Sequence, residues 1–521
     1  MEQRYRTARP GTAHGRTRRL RAVVLALAAT GGLLLTACSA SEGSNTSASG
    51  RSNHYGGPAS GSTANGENRS VTSDESPSPT TDYLSTFALD VDTASYGYAR
   101  RVLDDGRLPD PSNVRPEEFV NSFRQDYERP DGNGFTVTVD GARTEKANWS
   151  LVRVGLATRS ADSEEARRPA ALTFVVDVSG SMQEVGRLDL AKRSLDTMTD
   201  QLRDDDSVAL VTFSDEARTV LPMTRLGDHR GKVHSAIDKL DTLDSTNLGA
   251  GVEKGYATAT EGLREGATNR VVLISDGLAN TGDTDADSIL ERVARERRDH
   301  GITLFGVGVG SDYGDALMER LADKGDGHTA YVSDDADARK VFVDQLPQNI
   351  ELAARDAKAQ VAFDPETVAE FHLVGYEDRK VADQDFRNDN VDGGEVGPGH
   401  TVTALYAVRT RPGADGHLAT ASVRWLDPDS RAPHEESGQL ETGALHDDLW
   451  TAPDRFQVTA VAAYFADSLR TRDSEADTVG SLPGNPGLDQ LGERAHALAK
   501  ETEDKDVDRL AEAIDEAGLM K

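Results

Sequence analysis

Between Pro169 and Ala354 short apolar runs alternate with longer segments of helical periodicity, and nothing else in the 521-residue chain constrains its fold as tightly. The runs are Leu172 to Val176, Ser207 to Phe213, Arg270 to Ile274 and Ile302 to Val309. Helical spacing fills Leu188 to Leu202, Gly231 to Leu240, Leu248 to Leu263, Ser288 to Arg298, the neighbourhood of Ala316 to Ala322, and Ala336 to Ala354. Runs apolar at successive positions need cover on both faces, and helices between them supply it, so residues 169–355 predict a doubly wound, mostly parallel α/β sheet. Ligands of such sheets bind at the carboxyl ends of the strands.

The flanks read differently. Ser95 to Leu103 and Arg115 to Tyr127 have helical spacing, with Pro109, Pro111 and Pro116 marking the break between them, so 82–134 is expected to be a helical region. Phe135 to Val139 and Leu151 to Leu156 alternate like strands, as do Ala359 to Phe363, Glu370 to Tyr376, Thr401 to Arg409 and Ala419 to Leu426. Residues 135–168 and 356–430 are therefore expected to form one β-sandwich into which the α/β unit is inserted. Phe456 to Leu469 and Asp489 to Met520 return to helical spacing, giving a C-terminal helical region over 431–521.

Ahead of these, Arg16, Arg18, Arg19 and Arg21 precede a short apolar segment, Ala22 to Leu35, and then Leu35-Thr36-Ala37-Cys38. This resembles a bacterial lipobox, which implies a signal peptide over 1–37 and a diacylglycerol anchor on Cys38. Cys38 is the one cysteine of the chain, so neither an intrachain disulfide nor a Cys-based zinc site is available. Residues 38–81 are mostly Ser, Gly, Thr, Asn and Pro and read as a disordered tether, with a coil dimension of about 36 Å. No stretch reaches the roughly 18 apolar residues of a membrane-spanning helix. The formal charge of −31 repels phosphate backbones and attracts divalent cations, so neither nucleic acid nor nucleotide is expected as a partner.

The chemistry gathers at the strand ends. Asp177-Val178-Ser179-Gly180-Ser181 closes the first run, with Gly180 expected to permit a tight turn; Ser245-Thr246-Asn247 precedes the helix at Leu248, and Ile274-Ser275-Asp276-Gly277 closes the third run. DxSxS, a downstream Thr and a strand-terminal Asp-Gly resemble the metal-ion-dependent adhesion site of a von Willebrand factor type A domain. The resemblance implies that Ser179 and Ser181 ligate Mg²⁺ (or Mn²⁺) directly, Thr246 directly in the partner-bound form, and Asp177 and Asp276 mostly through water. Mg²⁺ asks for six oxygens in near-octahedral array, and three neutral hydroxyls leave it electrophilic enough to take a carboxylate oxygen from outside. Phe87 to Tyr96, Val114 to Phe119 and Thr401 to Tyr406 extend the resemblance to bacterial lipoproteins that carry such a domain between their own N- and C-terminal regions.

Other motifs are weaker. Asn388, Asn390 and Asp392 resemble the front of an EF-hand loop and make a second, Ca²⁺ site conceivable, although Gly399 stands where its closing Glu belongs. Asp90 and Asp92 resemble the opening of a haloacid dehalogenase phosphatase motif, with Ala94 in place of its Thr or Val. Gly306, Gly308 and Gly310 miss nucleotide-loop spacing. The expected function is thus a non-enzymatic, membrane-anchored extracytoplasmic adhesion protein that binds an Asp or Glu of a protein partner through Mg²⁺. A cell-envelope scaffold with a purely stabilising metal, and a metal-dependent phosphatase-like hydrolase, are the alternatives.

Overall fold

The computed structural model describes residues 83–520 apart from 90–91, 133, 161–166, 185–186, 277–285, 310–317, 319, 323–324, 326, 346–349, 390, 392, 429, 473–481 and 485. The segments expected to be signal peptide and tether, with Cys38, lie outside the described residues.

The chain enters through β1 (Leu84–Ala88), α1 (Ala94–Asp104) and α2 (Pro116–Asn121), then forms the antiparallel pair β2 (Phe135–Arg143) and β3 (Trp149–Thr158). An α/β unit follows: β4 (Ala170–Asp177), α3 (Leu188–Gln201), β5 (Ser207–Phe213), β6 (Ala217–Arg225), α4 (Arg230–Asp238), α5 (Leu248–Glu261), β7 (Thr268–Ser275), α6 (Ala286–His300), β8 (Thr303–Val309), β9 (Thr329–Val332) and α7 (Asp335–Arg339). The return path is β10 (Ala354–Phe363), β11 (Val368–Leu373), β12 (Gly394–Val396), β13 (Thr401–Thr410), β14 (His417–Leu426) and β15 (Pro433–Glu441). The helices α8 (Asp454–Thr471), α9 (Leu488–Thr502) and α10 (Lys505–Leu519) complete the described chain.

In the α/β unit the strand order is β6-β5-β4-β7-β8-β9, parallel except for the β5–β6 pair. Every residue of β4 is buried, because α3 and α5 cover opposite faces: Phe174 packs in the cluster with Leu195, and Val175 in the cluster with Val252. β4 pairs with β5 on one side and with β7 on the other. The strand order therefore reverses direction at β4, and the crevice of a doubly wound sheet opens beyond its carboxyl end.

The flanking strands make two antiparallel sheets, β11-β13-β3-β2 and β1-β10-β14-β15 with β12 added to β10. Val154 and Tyr406 from the first share a core with Val361 and Val423 from the second. The alternation in β3 predicts one solvated face, yet that face is covered too. Leu151 and Leu405 pack among Val461 and Phe465 of α8, and Arg153 is buried there by its ion pair with Asp140 at 2.6 Å and by the rings of Tyr127 and Phe456.

Three elements differ from expectation. β1 sits inside the stretch read as helical and adds to β10. β15, in the stretch read as C-terminal helix, is a charged and largely exposed edge strand with Pro433 at its first position, so it carries no apolar alternation to read. The helix expected over Ala336 to Ala354 is not one continuous α-helix among the described residues: α7 ends at Arg339, a π-helical turn covers Lys340–Asp344, 346–349 lie outside the described residues, and β10 already starts at Ala354.

Candidate metal centre

Asp177 is the last residue of β4 and is fully buried. Its Oδ1 accepts the Ser179 amide at 2.9 Å, and its Oδ2 accepts the Ser275 hydroxyl at 2.6 Å. Burial pushes the carboxyl up to about 6, and these hydrogen bonds oppose the rise. The chain then turns through a 3-10 segment, Gly180–Gln183, that brings the hydroxyls of Ser179 and Ser181 to 3.0 Å from each other. Gly180 does not have the conformational role expected of it. Its φ is not left-handed, and a Cβ there would come no nearer than 3.8 Å to Leu243 O.

The second loop is tied to the first by Leu243 N donating to Val178 O at 2.6 Å. Ser245 adopts a left-handed φ of 68°, and Asn247 caps α5 by accepting from Ala250 N at 3.0 Å. Between them Thr246 is 2% exposed. The third loop begins at Asp276, fully buried, whose Oδ2 accepts Nη1 of Arg187 at 2.9 Å. Arg187 also donates to Ser181 O at 3.1 Å and to Glu184 at 2.7 Å. Ser275 and Arg187 were not singled out in the sequence. Arg187 carried a signal nonetheless, since a cation immediately before a helix opposes the helix dipole and calls for a carboxylate partner.

The donor set is all oxygen, which suits a hard cation. Ligands at adjacent corners of a Mg²⁺ octahedron with bonds of about 2.1 Å lie about 3.0 Å apart, the separation found between the Ser179 and Ser181 hydroxyls. On that measure the serine pair fits the ion.

The other candidates are engaged elsewhere. Asp92 is fully buried; it accepts the Thr329 amide and pairs with Arg379 at 2.6 Å. Its motif partner Asp90 lies outside the described residues. At the EF-hand-like loop, the carbonyls of Asn388 and Val391 accept Nζ of the buried Lys358 at 2.7 and 2.6 Å. Asn388 also bonds Asp385, and Asp389 pairs with Arg424. Lys358 thus takes two carbonyl oxygens of this loop, and Asn390 and Asp392, two of the three residues expected to hold Ca²⁺, lie outside the described residues. Gly306 and Gly308 are in the buried β8.

The von Willebrand factor type A domain family matches residues 171–345, and a family described as the C-terminal region of the uncharacterized protein YfbK matches 348–498. A further von Willebrand factor family matches 63–153. The uncharacterized protein YfbK of Escherichia coli (strain K12) is 36% identical over 412 residues, covering 74% of this chain and 71% of that protein. The chain belongs to the YfbK family of von Willebrand factor type A domain proteins. Inter-alpha-trypsin inhibitor heavy chain H4 of Homo sapiens is 29% identical over 178 residues, 33% of this chain and 19% of that one. A solved structure described as von Willebrand factor type A from Catenulispora acidiphila aligns with a TM-score of 0.44 and 16% identity, over 74% of this chain and 91% of that chain. Type A domains mediate protein–protein interaction and commonly hold a divalent metal, and the family's match at 171–345 contains all three loops of the candidate centre.

Proposed function

We propose that this YfbK-family protein is a lipid-anchored extracytoplasmic binding protein, held at the membrane through Cys38, that recognises an Asp or Glu of a protein partner at a Mg²⁺ centre. Ser179, Ser181 and Thr246 would hold the ion by their hydroxyls, with Asp177 and Asp276 as outer carboxylates. When bound, the cation supplies an electrophilic position for an incoming carboxylate oxygen. Asp177 orients the first loop through the Ser179 amide, and Ser275 fixes the other oxygen of Asp177.

The observation that carries this reading is the serine pair 3.0 Å apart, on a loop that follows the buried Asp177 and is tied through Arg187 to the buried Asp276, at the point where the sheet reverses order. A hydrolytic reading has less support. The hydroxyl of Ser179 is partnered by Ser181 and not by a histidine, and Asp92 is locked in an ion pair. Capture of proteins from envelope extract tests the proposal. Partners retained in Mg²⁺ and lost both in chelator and by the Ser179→Ala/Ser181→Ala variant are expected. Partners retained under all three conditions would favour the scaffold. Separately, Cys38→Ser is expected to move the protein from the detergent to the aqueous phase of a detergent extraction; wild-type protein in the aqueous phase would overturn the anchor.

A further inference from the structure

A cavity of about 580 Å³ lies where the α/β unit, the sandwich and the segment after α2 meet. That volume is in the range of small-molecule sites. Its walls come from all three parts: Arg129 from the segment before β2, His328 and Gln345 from the α/β unit, and His400 and Thr401 from the start of β13.

The lining is rich in donors and short of free negative charge. Arg129 donates one bond, from Nη1 to Thr158 O at 3.1 Å, and has no carboxylate partner among the described residues. Burial and the neighbouring Arg124 both lower its pKa, which marks a place where positive charge meets too little compensation. The two acids of the lining are already claimed: Asp126 by Arg124 and Arg455, and Asp506 by Lys340 at 2.7 Å. His400 accepts the Gly397 amide on Nδ1 at 3.3 Å, which assigns its proton to Nε2. Burial, then His328, Arg270 and Arg129, push its pKa down to about 3, so the ring is a neutral N–H donor. The side chains of Gln345 and Thr401 make no hydrogen bond among the described residues, and both line the same space.

In a chain of net charge −31, a cavity that combines an uncompensated arginine with several unused donors is set up for an acceptor-rich anion. We propose that this cavity is a second binding site, distinct from the metal centre, for a small organic oxyanion, a carboxylate or a phosphate, held by Arg129, His400 Nε2, Gln345 and Thr401. Because the walls belong to three parts of the fold, its occupant would fix their mutual arrangement.

The test uses chelator-treated full-length protein, so that the metal centre plays no part. Inorganic phosphate and succinate are titrated separately by calorimetry and by thermal melting, against sodium chloride at matched ionic strength. Saturable binding of at least one of them is expected, with affinity reduced tenfold or more in Arg129→Gln and several-fold in Thr401→Val. Binding of one probe and not the other identifies phosphate or carboxylate as the group recognised. Circular dichroism shows whether Arg129→Gln folds; Thr401→Val, a near-isosteric change, decides the matter if it does not. No saturable binding of either probe to the wild type, or equal affinity in wild type and the folded variants, would overturn the proposal.

Discussion

Arg187 Nη1 lies 2.9 Å from Asp276 Oδ2, and both side chains are almost wholly buried, at 3% and 0% exposure. The arginine is thus an internal counter-ion for one of the two carboxylates assigned above to the metal. It also fastens the DxSxS loop, through Ser181 O, to the end of β7. A cation entering the centre meets a carboxylate whose charge is already shared.

Arg187→Met should therefore raise Mg²⁺ affinity and lower the stability of the metal-free protein, because the buried Asp276 loses its arginine counter-ion. A tenfold tighter Kd corresponds to about 1.4 kcal/mol. Calorimetry with Mg²⁺ and urea unfolding in chelator check the two halves. Weaker Mg²⁺ binding by the variant would mean that Arg187 chiefly orients Asp276 and does not compete with the ion.

Arg379 joins three parts of the fold. It pairs with Asp92 at 2.6 Å and Glu117 at 2.9 Å, and Asp92 in turn accepts the Thr329 amide at the head of β9. Burial raises the pKa of Glu117, and Arg379 opposes that rise. Arg379→Met leaves buried carboxylates unpaired, a loss of about 3–5 kcal/mol by the usual cost of breaking such a pair. The urea midpoint should fall accordingly; a shift equivalent to under about 1 kcal/mol, the scale of a surface pair, would show that water or relaxation replaces the arginine.

His234 of α4 sits between Asp196 and Asp200 of α3, at 2.7 and 3.0 Å. Burial lowers its pKa, but the two carboxylates more than offset this and hold it above the ordinary histidine value. A raised folded-state pKa stabilises the fold fully at pH below the unfolded value and loses that contribution as pH rises through the folded one. Wild type should lose its stability advantage over His234→Gln as pH rises above the unfolded value of about 6.5, by no more than about 1 kcal/mol given the partial exposure. A difference that stays constant with pH would contradict the assignment.

The α/β unit was legible because its strands are buried on both faces: Leu172 to Val176 and Ile302 to Val309 announce themselves without reference to any partner. The candidate centre was legible because its residues follow the ends of those strands. What escaped reading depends on tertiary context. β15 is charged and exposed, and becomes a strand by pairing with β14. Arg153 stands on the face of β3 that alternation assigns to solvent, and it is buried because α8 covers that side of the sheet. Lys358 in its carbonyl cradle and Arg187 on Asp276 join residues far apart in sequence, and no local pattern announces such partners.

The central claim is that the loops at Ser179, Thr246 and Asp276 hold a divalent cation. Its most direct test is the thermal stability of chelator-treated protein titrated with Mg²⁺, comparing wild type with Asp177→Ala and Ser181→Ala. An ion that binds the folded state alone stabilises it by about 2.7 kcal/mol at 100 times its dissociation constant. The account predicts that increment in the wild type and its loss in both variants. An equal Mg²⁺-induced rise in all three proteins would contradict it.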